Sequence, residues 1–165
     1  LAETSKTVNL GEHSASDFTA ANSATSWVNA SISLINCNYG GAQSYQYNIR
    51  QSEWNRTDVT TVSAPITANA IWSLSLTPAT RVIDDTNGIM AIASGEDSAT
   101  GIGIQLSSSN TTLNPMKFTQ PTTGTMVSGT NATMTIPFYA RYIKTDSTVT
   151  AGKANGKLTY LVEYK

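Results

Sequence analysis

Apolar and polar residues alternate one for one in stretch after stretch of this chain, and no window of about 11 residues carries helical spacing. Residues 27–37, WVNASISLINC, put Val28, Ala30, Ile32 and Leu34 on one face. Residues 134–142 hold the longest alternation, with Met134, Ile136, Phe138, Ala140 and Tyr142 sharing a side. Pro137 lies inside that run; it donates no ladder hydrogen bond, so its position must face a gap, an edge or a bulge. Residues 70–76 align Trp72, Leu74 and Leu76, and Pro78 closes the run. In the final stretch Leu158, Tyr160, Val162 and Tyr164 alternate with Thr159, Leu161, Glu163 and Lys165. A period of two is the mark of strands with one buried face. The sequence given stops one residue after Tyr164, so the expectation is a sheet lacking a neighbour beside this strand.

Turn chemistry separates the runs. Residues 84–88, DDTNG, and residues 107–111 read as turns, flanking β-type runs at 88–93 and 101–106. Residues 7–10 are a short strand candidate broken by Gly11, and residues 12–25 read as a polar loop pinned by Phe18. Within residues 43–69, Tyr45, Tyr47 and Ile49 alternate, as do Val59 and Thr61. Two strands follow, with a turn near 53–57 and Pro65 bounding the second. Residues 81–83 are a short strand, 112–118 an irregular or edge segment around Pro115, 119–125 a loop with Pro121 and Gly124, and 146–154 a turn-rich connection. Strands recurring roughly every 10–15 residues, with turns between, predict an all-β antiparallel sandwich formed by one domain over residues 1–165.

Composition narrows the chemistry. Only 13% of residues are charged and the net charge is −1, so there is no basic surface for nucleic acid and no acidic tail. No apolar run approaches the ~18 residues of a membrane span. His13 is the single histidine, in a polar loop, and no HExxH, GxSxG, CxxC or P-loop occurs. The expectation is therefore no enzyme, no cofactor and no metal: Asp84, Asp85 and Asn87 read as a plain turn, not calcium ligands. Trp27 and Trp72 fall in strand patterns. Trp54, in a polar segment, is the one tryptophan kept as a weak glycan-binding candidate. Asn29, Asn55, Asn110 and Asn131 lie in N-x-Ser/Thr sequons, which matter only in a eukaryotic secretory host. The only cysteine, Cys37, reads as a small buried hydrophobe.

Four stretches resemble the pilin domains of chaperone–usher fimbriae, the surface fibres of Gram-negative bacteria. TVNLGEHSASDF with SWVNASISLINC is similar to a V-x-L-G strand leading to a strand that ends in the family's second cysteine. GIMAIASGEDSATGIGIQLSSSNTTL resembles the central hairpin, TIPFYARYIKTDSTVTAGKANGKL the strand and crossover before the end, and LTYLVEYK the closing strand. The last carries a penultimate tyrosine, Tyr164, and follows Gly152, fourteen positions from the terminus. The match covers most of the chain apart from residues 43–69, an insert longer than usual.

The resemblance implies an immunoglobulin-like sandwich without its final strand, completed by a donor strand from a partner. It further implies a structural fimbrial subunit supporting adhesion, exported through the periplasm to a cell-surface fimbrium. Its partners would be a periplasmic chaperone, an outer-membrane usher and neighbouring subunits. Leu158, Tyr160, Val162 and Tyr164 would border the groove, Gly152 would give the donor room, and the Lys165 carboxylate would be the chaperone's handle. Cys37 would be disulfide-bonded to a cysteine outside the chain, which would either start after that cysteine and after an N-terminal extension or be the C-terminal pilin domain of a two-domain tip adhesin. The alternative reading is a carbohydrate-binding lectin or tip adhesin domain using Trp54 and the insert.

Overall fold

In the computed structural model, residues 4–39, 43–50, 59–66, 70–126 and 129–164 are described. Twelve strands fall among them. They are β1 (Val28–Asn29), β2 (Ile32–Tyr39), β3 (Gln43–Arg50), β4 (Val59–Ile66), β5 (Ile71–Pro78) and β6 (Val82–Asp84), then β7 (Ile89–Ala91), β8 (Ile102–Ser107), β9 (Thr122–Thr125), β10 (Gly129–Ile136), β11 (Tyr139–Lys144) and β12 (Leu158–Tyr164). All ladders are antiparallel: a five-stranded sheet β1-β11-β8-β7-β6, a three-stranded sheet β12-β5-β9, and the pairs β10-β2 and β3-β4. Met90, Ile104 and Leu106 of the first sheet and Trp72, Leu74 and Leu76 of the second meet in one core cluster. This is the expected sandwich.

The two longest alternations each form two strands instead of one. Residues 27–37 break at Ala30–Ser31 and residues 134–142 at Pro137–Phe138, and the breaks face each other. The Ala30 amide donates to the Phe138 carbonyl (2.8 Å), and the Phe138 amide donates to the Ser31 hydroxyl (3.2 Å). The Ser31 amide in turn donates to Asn29 Oδ1 (2.8 Å). These side chains supply partners where Pro137 interrupts the ladder, meeting the demand that buried polar groups be satisfied. The ribbon thus leaves the β1-β11 edge of the five-stranded sheet and continues as β2-β10.

Further along, β2 carries a bulge. Between the pairs Ala132↔Cys37 and Met134↔Leu34, β10 advances two residues and β2 three. The extra residue is accommodated by Asn36, at φ 55°, a left-handed conformation that asparagine tolerates better than most residues. The bulge resets the pleat, so both Leu34 and Cys37 turn inward while Ile35 is left 47% exposed. Leu34 and Ile136 are fully buried, each side chain contributing about 1.5–3 kcal/mol by burial.

Other expectations resolve differently. Residues 7–10 form no ladder, although Val8 and Leu10 rest on the core. Residues 119–125, expected to be a loop, contain β9, paired to β5 with Gly124 opposite Trp72. A Cβ at Gly124 would enter the Trp72 indole, so this glycine serves close packing and not a turn. Pro65 lies within β4, opposite Ser44, in an antiparallel pair to which no further strand is joined among the described residues. The polar loop gains a 3-10 turn, Ala15–Asp17, closed by a Ser14/Asp17 capping box, and delivers Phe18 to a second cluster with Ala99 and Ile102. The turn at 84–88 stands as expected: Asp84 accepts from the Asn87 amide (3.0 Å) and side chain (2.7 Å). Gly88 takes φ 65°, where any Cβ would press on the carbonyls of Leu106 and Met116.

Candidate functional site

Strand β12 is the edge of its sheet. It pairs along its whole length with β5, from Leu158↔Pro78 to Tyr164↔Trp72. Among the described residues no strand pairs with its other side. The alternation predicted from sequence holds for Leu158, Tyr160 and Val162, which are half-buried on the core, while Thr159, Leu161 and Glu163 face outward.

A cleft of about 980 Å³ opens beside the start of β12, at Leu158, Thr159 and Tyr160. One wall is residues 154–160, the other residues 4–10 with residues 30–33, and no β5 residue lines it. Met90, Ile104, Leu106, Phe138 and Ala140 line it between the walls, so the opening reaches the sandwich core. Seven wall residues at ~3.3 Å rise span roughly 23 Å, the length of a short strand.

The two walls are held differently. Residues 154–157 are fixed by hydrogen bonds to other segments: the Lys157 carbonyl accepts from the Ala79 amide (2.8 Å), the Asn155 carbonyl from the Ala93 amide (2.7 Å) and the Ala154 carbonyl from the hydroxyl of Tyr142, itself a lining residue (2.7 Å). Burial raises the pKa of that phenol, keeping it a donor. Among the described residues, 4–10 make no backbone–backbone hydrogen bond. Lys6 Nζ donates to the Ser31 carbonyl (2.8 Å), Val8 and Leu10 pack on the core, and at the far end His13 stands edge-on to the Tyr142 ring. The cleft therefore presents hydrophobic core and strand-like backbone together, a pairing of surfaces suited to an extended peptide whose alternate side chains point inward.

The residues singled out from sequence distribute unevenly. Leu158 and Tyr160 line the cleft. Val162 packs on the core beyond it, and Tyr164 is 52% exposed. Burial, and then Cys37, raise the pKa of the Tyr164 phenol. Cys37 is buried on β2 and has no disulfide partner within residues 1–165. Gly152 faces the backbone of residues 97–99 and does not line the cleft. Trp54 and Lys165 lie outside the described residues, as does the expected turn at 53–57.

Sequence reasoning missed Gly156. This glycine lines the cleft, and a Cβ there would strike Ile104 Cδ1 and approach Met90 Cε (3.4 Å). Extending the Leu158–Tyr160–Val162 face one step backward would have found it. The opposite wall was visible only as a strand candidate, because nothing in residues 4–10 reveals which surface they follow.

A family model described as Fimbrial protein matches residues 1–165. Over 163 residues, 97% of this chain and 71% of the relative, the sequence is 28% identical to the fimbrial subunit type 1 of Salmonella typhimurium. The fold is similar to that of the CupB6 tip adhesin of Pseudomonas aeruginosa, with a TM-score of 0.58 at 17% identity over 93% of this chain. The chain spans about a third (34%) of that adhesin. It is likewise similar to an antigen and type I fimbria protein of Burkholderia pseudomallei, with a TM-score of 0.57 at 22% identity, covering 99% of this chain and 85% of the other. Matched along its whole length, the chain belongs to the fimbrial protein family, whose members are structural subunits of surface fimbriae and not enzymes.

Proposed function

We propose that the cleft beside β12 receives an extended strand from another polypeptide, and that the chain takes its place in a fimbria through this complementation. The observation that carries the reading is the edge position of β12 next to an opening lined by core residues. An inserted strand gains main-chain hydrogen bonds along β12 and buries every second side chain, the strand-addition mode of recognition. Four apolar side chains at ~1.5–3 kcal/mol each give roughly 6–12 kcal/mol before the cost of ordering the incoming segment. In this reading Leu158, Tyr160 and Val162 border the insert, Tyr164 and Lys165 guide capture, and Gly156, having no side chain, lets Ile104 lie against the wall and keeps the cleft clear for the insert.

Before assembly the same cleft is covered by a periplasmic chaperone, delivered to an outer-membrane usher, and then filled by the N-terminal segment of a neighbouring subunit. Cys37 forms a disulfide with a cysteine of the same protein outside residues 1–165. The chain performs no catalysis and supports adhesion through the assembled fibre.

The test is direct. A synthetic peptide of alternating apolar residues, added to the isolated chain, is expected to slow amide exchange along residues 158–164 and to raise the melting temperature. At a hundredfold excess over its dissociation constant the stabilisation is about 2.7 kcal/mol. No binding by such peptides, together with cooperative unfolding of a long-lived monomer, would sink the reading.

A further inference from the structure

The sequence contains two Asn–Gly pairs, Asn87–Gly88 and Asn155–Gly156. Such pairs are chemically special because the following residue has no side chain to hinder its backbone nitrogen. That nitrogen can attack the asparagine side-chain carbon. The new N–Cγ bond forms, the Cγ–Nδ2 bond breaks, and the amide leaves as ammonia carrying the nitrogen's proton. Water then opens the five-membered imide at either carbonyl, giving aspartate or isoaspartate. Water is consumed and ammonia released, with no oxidant or reductant.

The fold treats the two pairs oppositely. Asn87 is clamped: its Nδ2 donates to Asp84 Oδ2 (2.7 Å), its amide to Asp84 Oδ1 (3.0 Å), and its carbonyl accepts from Gln105 Nε2 (3.0 Å). The Gly88 nitrogen is occupied by the Asp85 carbonyl (3.3 Å), and Gly88 is buried. Attack would have to break this set and rotate the side chain away from Asp84. Asn155 and Gly156 are both exposed. Among the described residues nothing hydrogen-bonds to the Asn155 side chain or the Gly156 amide; only the Asn155 carbonyl is held, by Ala93 (2.7 Å).

We propose that Asn155 is a self-modification site: the folded chain converts it to aspartate or isoaspartate selectively over Asn87, placing a carboxylate on the wall of the cleft. In the isoaspartate product the main chain runs through the side-chain carbon. The carbonyl held by Ala93 becomes part of a pendant carboxylate, and the wall leading into β12 is one carbon longer. The change stands whether or not the cleft accepts a strand.

Peptide mapping of the full chain after incubation at mildly alkaline pH tests this, with a denatured sample as reference. Unfolded, the two pairs convert at similar rates. Folded, Asn155 keeps most of its rate while Asn87 slows by at least roughly tenfold, the scale of charge-assisted hydrogen bonds that must break. Asp84→Asn releases the clamp and accelerates Asn87 without changing Asn155, and Asn155→Gln removes the cleft-wall product alone. Equal slowing of both pairs in the folded chain, or faster conversion at Asn87, overturns the assignment.

Discussion

Asp85 accepts hydrogen bonds from the Phe118 amide (2.7 Å), the Thr119 amide (3.1 Å) and the Thr119 hydroxyl, tying the 84–88 turn to the segment that leads into β9. The Thr119 hydroxyl, with the two backbone donors, holds its carboxyl below the usual carboxylate range, and the Asn87 side chain does the same for Asp84. A depressed folded pKa contributes stability above the unfolded carboxylate pKa and loses it as pH falls through the folded value. Denaturant melts should therefore show a falling midpoint below about pH 4, and Asp85→Asn should flatten that acid limb. At the core, Leu34→Ala or Ile136→Ala is expected to cost about 2–5 kcal/mol, read as a lower denaturation midpoint at unchanged slope. Alternation made such core residues readable in advance. Glycines were not: Gly124 looked like turn chemistry but clears space for Trp72, and a glycine's purpose depends on what approaches it in space.

Among elements, β12 was legible because its face pattern needs only its own sequence, and the structure keeps that pattern at Leu158, Tyr160 and Val162. Where strands exchange partners, periodicity is silent. Ala30 and Ile32 remain on one face through the crossing, so one run of residues gave no sign of two strands. Pro137 marked the partner break, and Asn36 the bulge that turns Cys37 inward only after the register is known. Under the strand-insertion reading, mutations along this wall should rank by contact with the cleft. Leu158→Ser and Tyr160→Ser should weaken binding of an inserted peptide more than Tyr164→Ser, measured by titration calorimetry. Gly156→Leu should obstruct insertion by displacing Ile104 and crowding the cleft. Gly152→Ala instead presses on the Ala99 amide and the Asp97 carbonyl, so its expected effect is destabilisation of about 1–3 kcal/mol with insertion retained. Equal loss of binding at Gly152 and Gly156 would assign the cleft to the wrong glycine.

At the scale of the molecule, sandwich class followed from strand spacing, while the cleft required the pairing order and the path of residues 4–10. An open β-edge beside exposed core is an aggregation template. The isolated chain is expected to self-associate on concentration, and an inserted peptide to suppress this; light scattering with and without peptide measures both. The crossing at Ala30–Ser31 and Pro137–Phe138 bears on how such a subunit carries load. A continuous two-stranded ribbon belongs to the five-stranded sheet at one end and to the β2-β10 pair at the other. Pulling the pair away from the sheet is therefore expected to require breaking the backbone hydrogen bond that joins Ala30 to Phe138 as well as parting side chains, a resistance that single-molecule stretching would read as one rupture and not two.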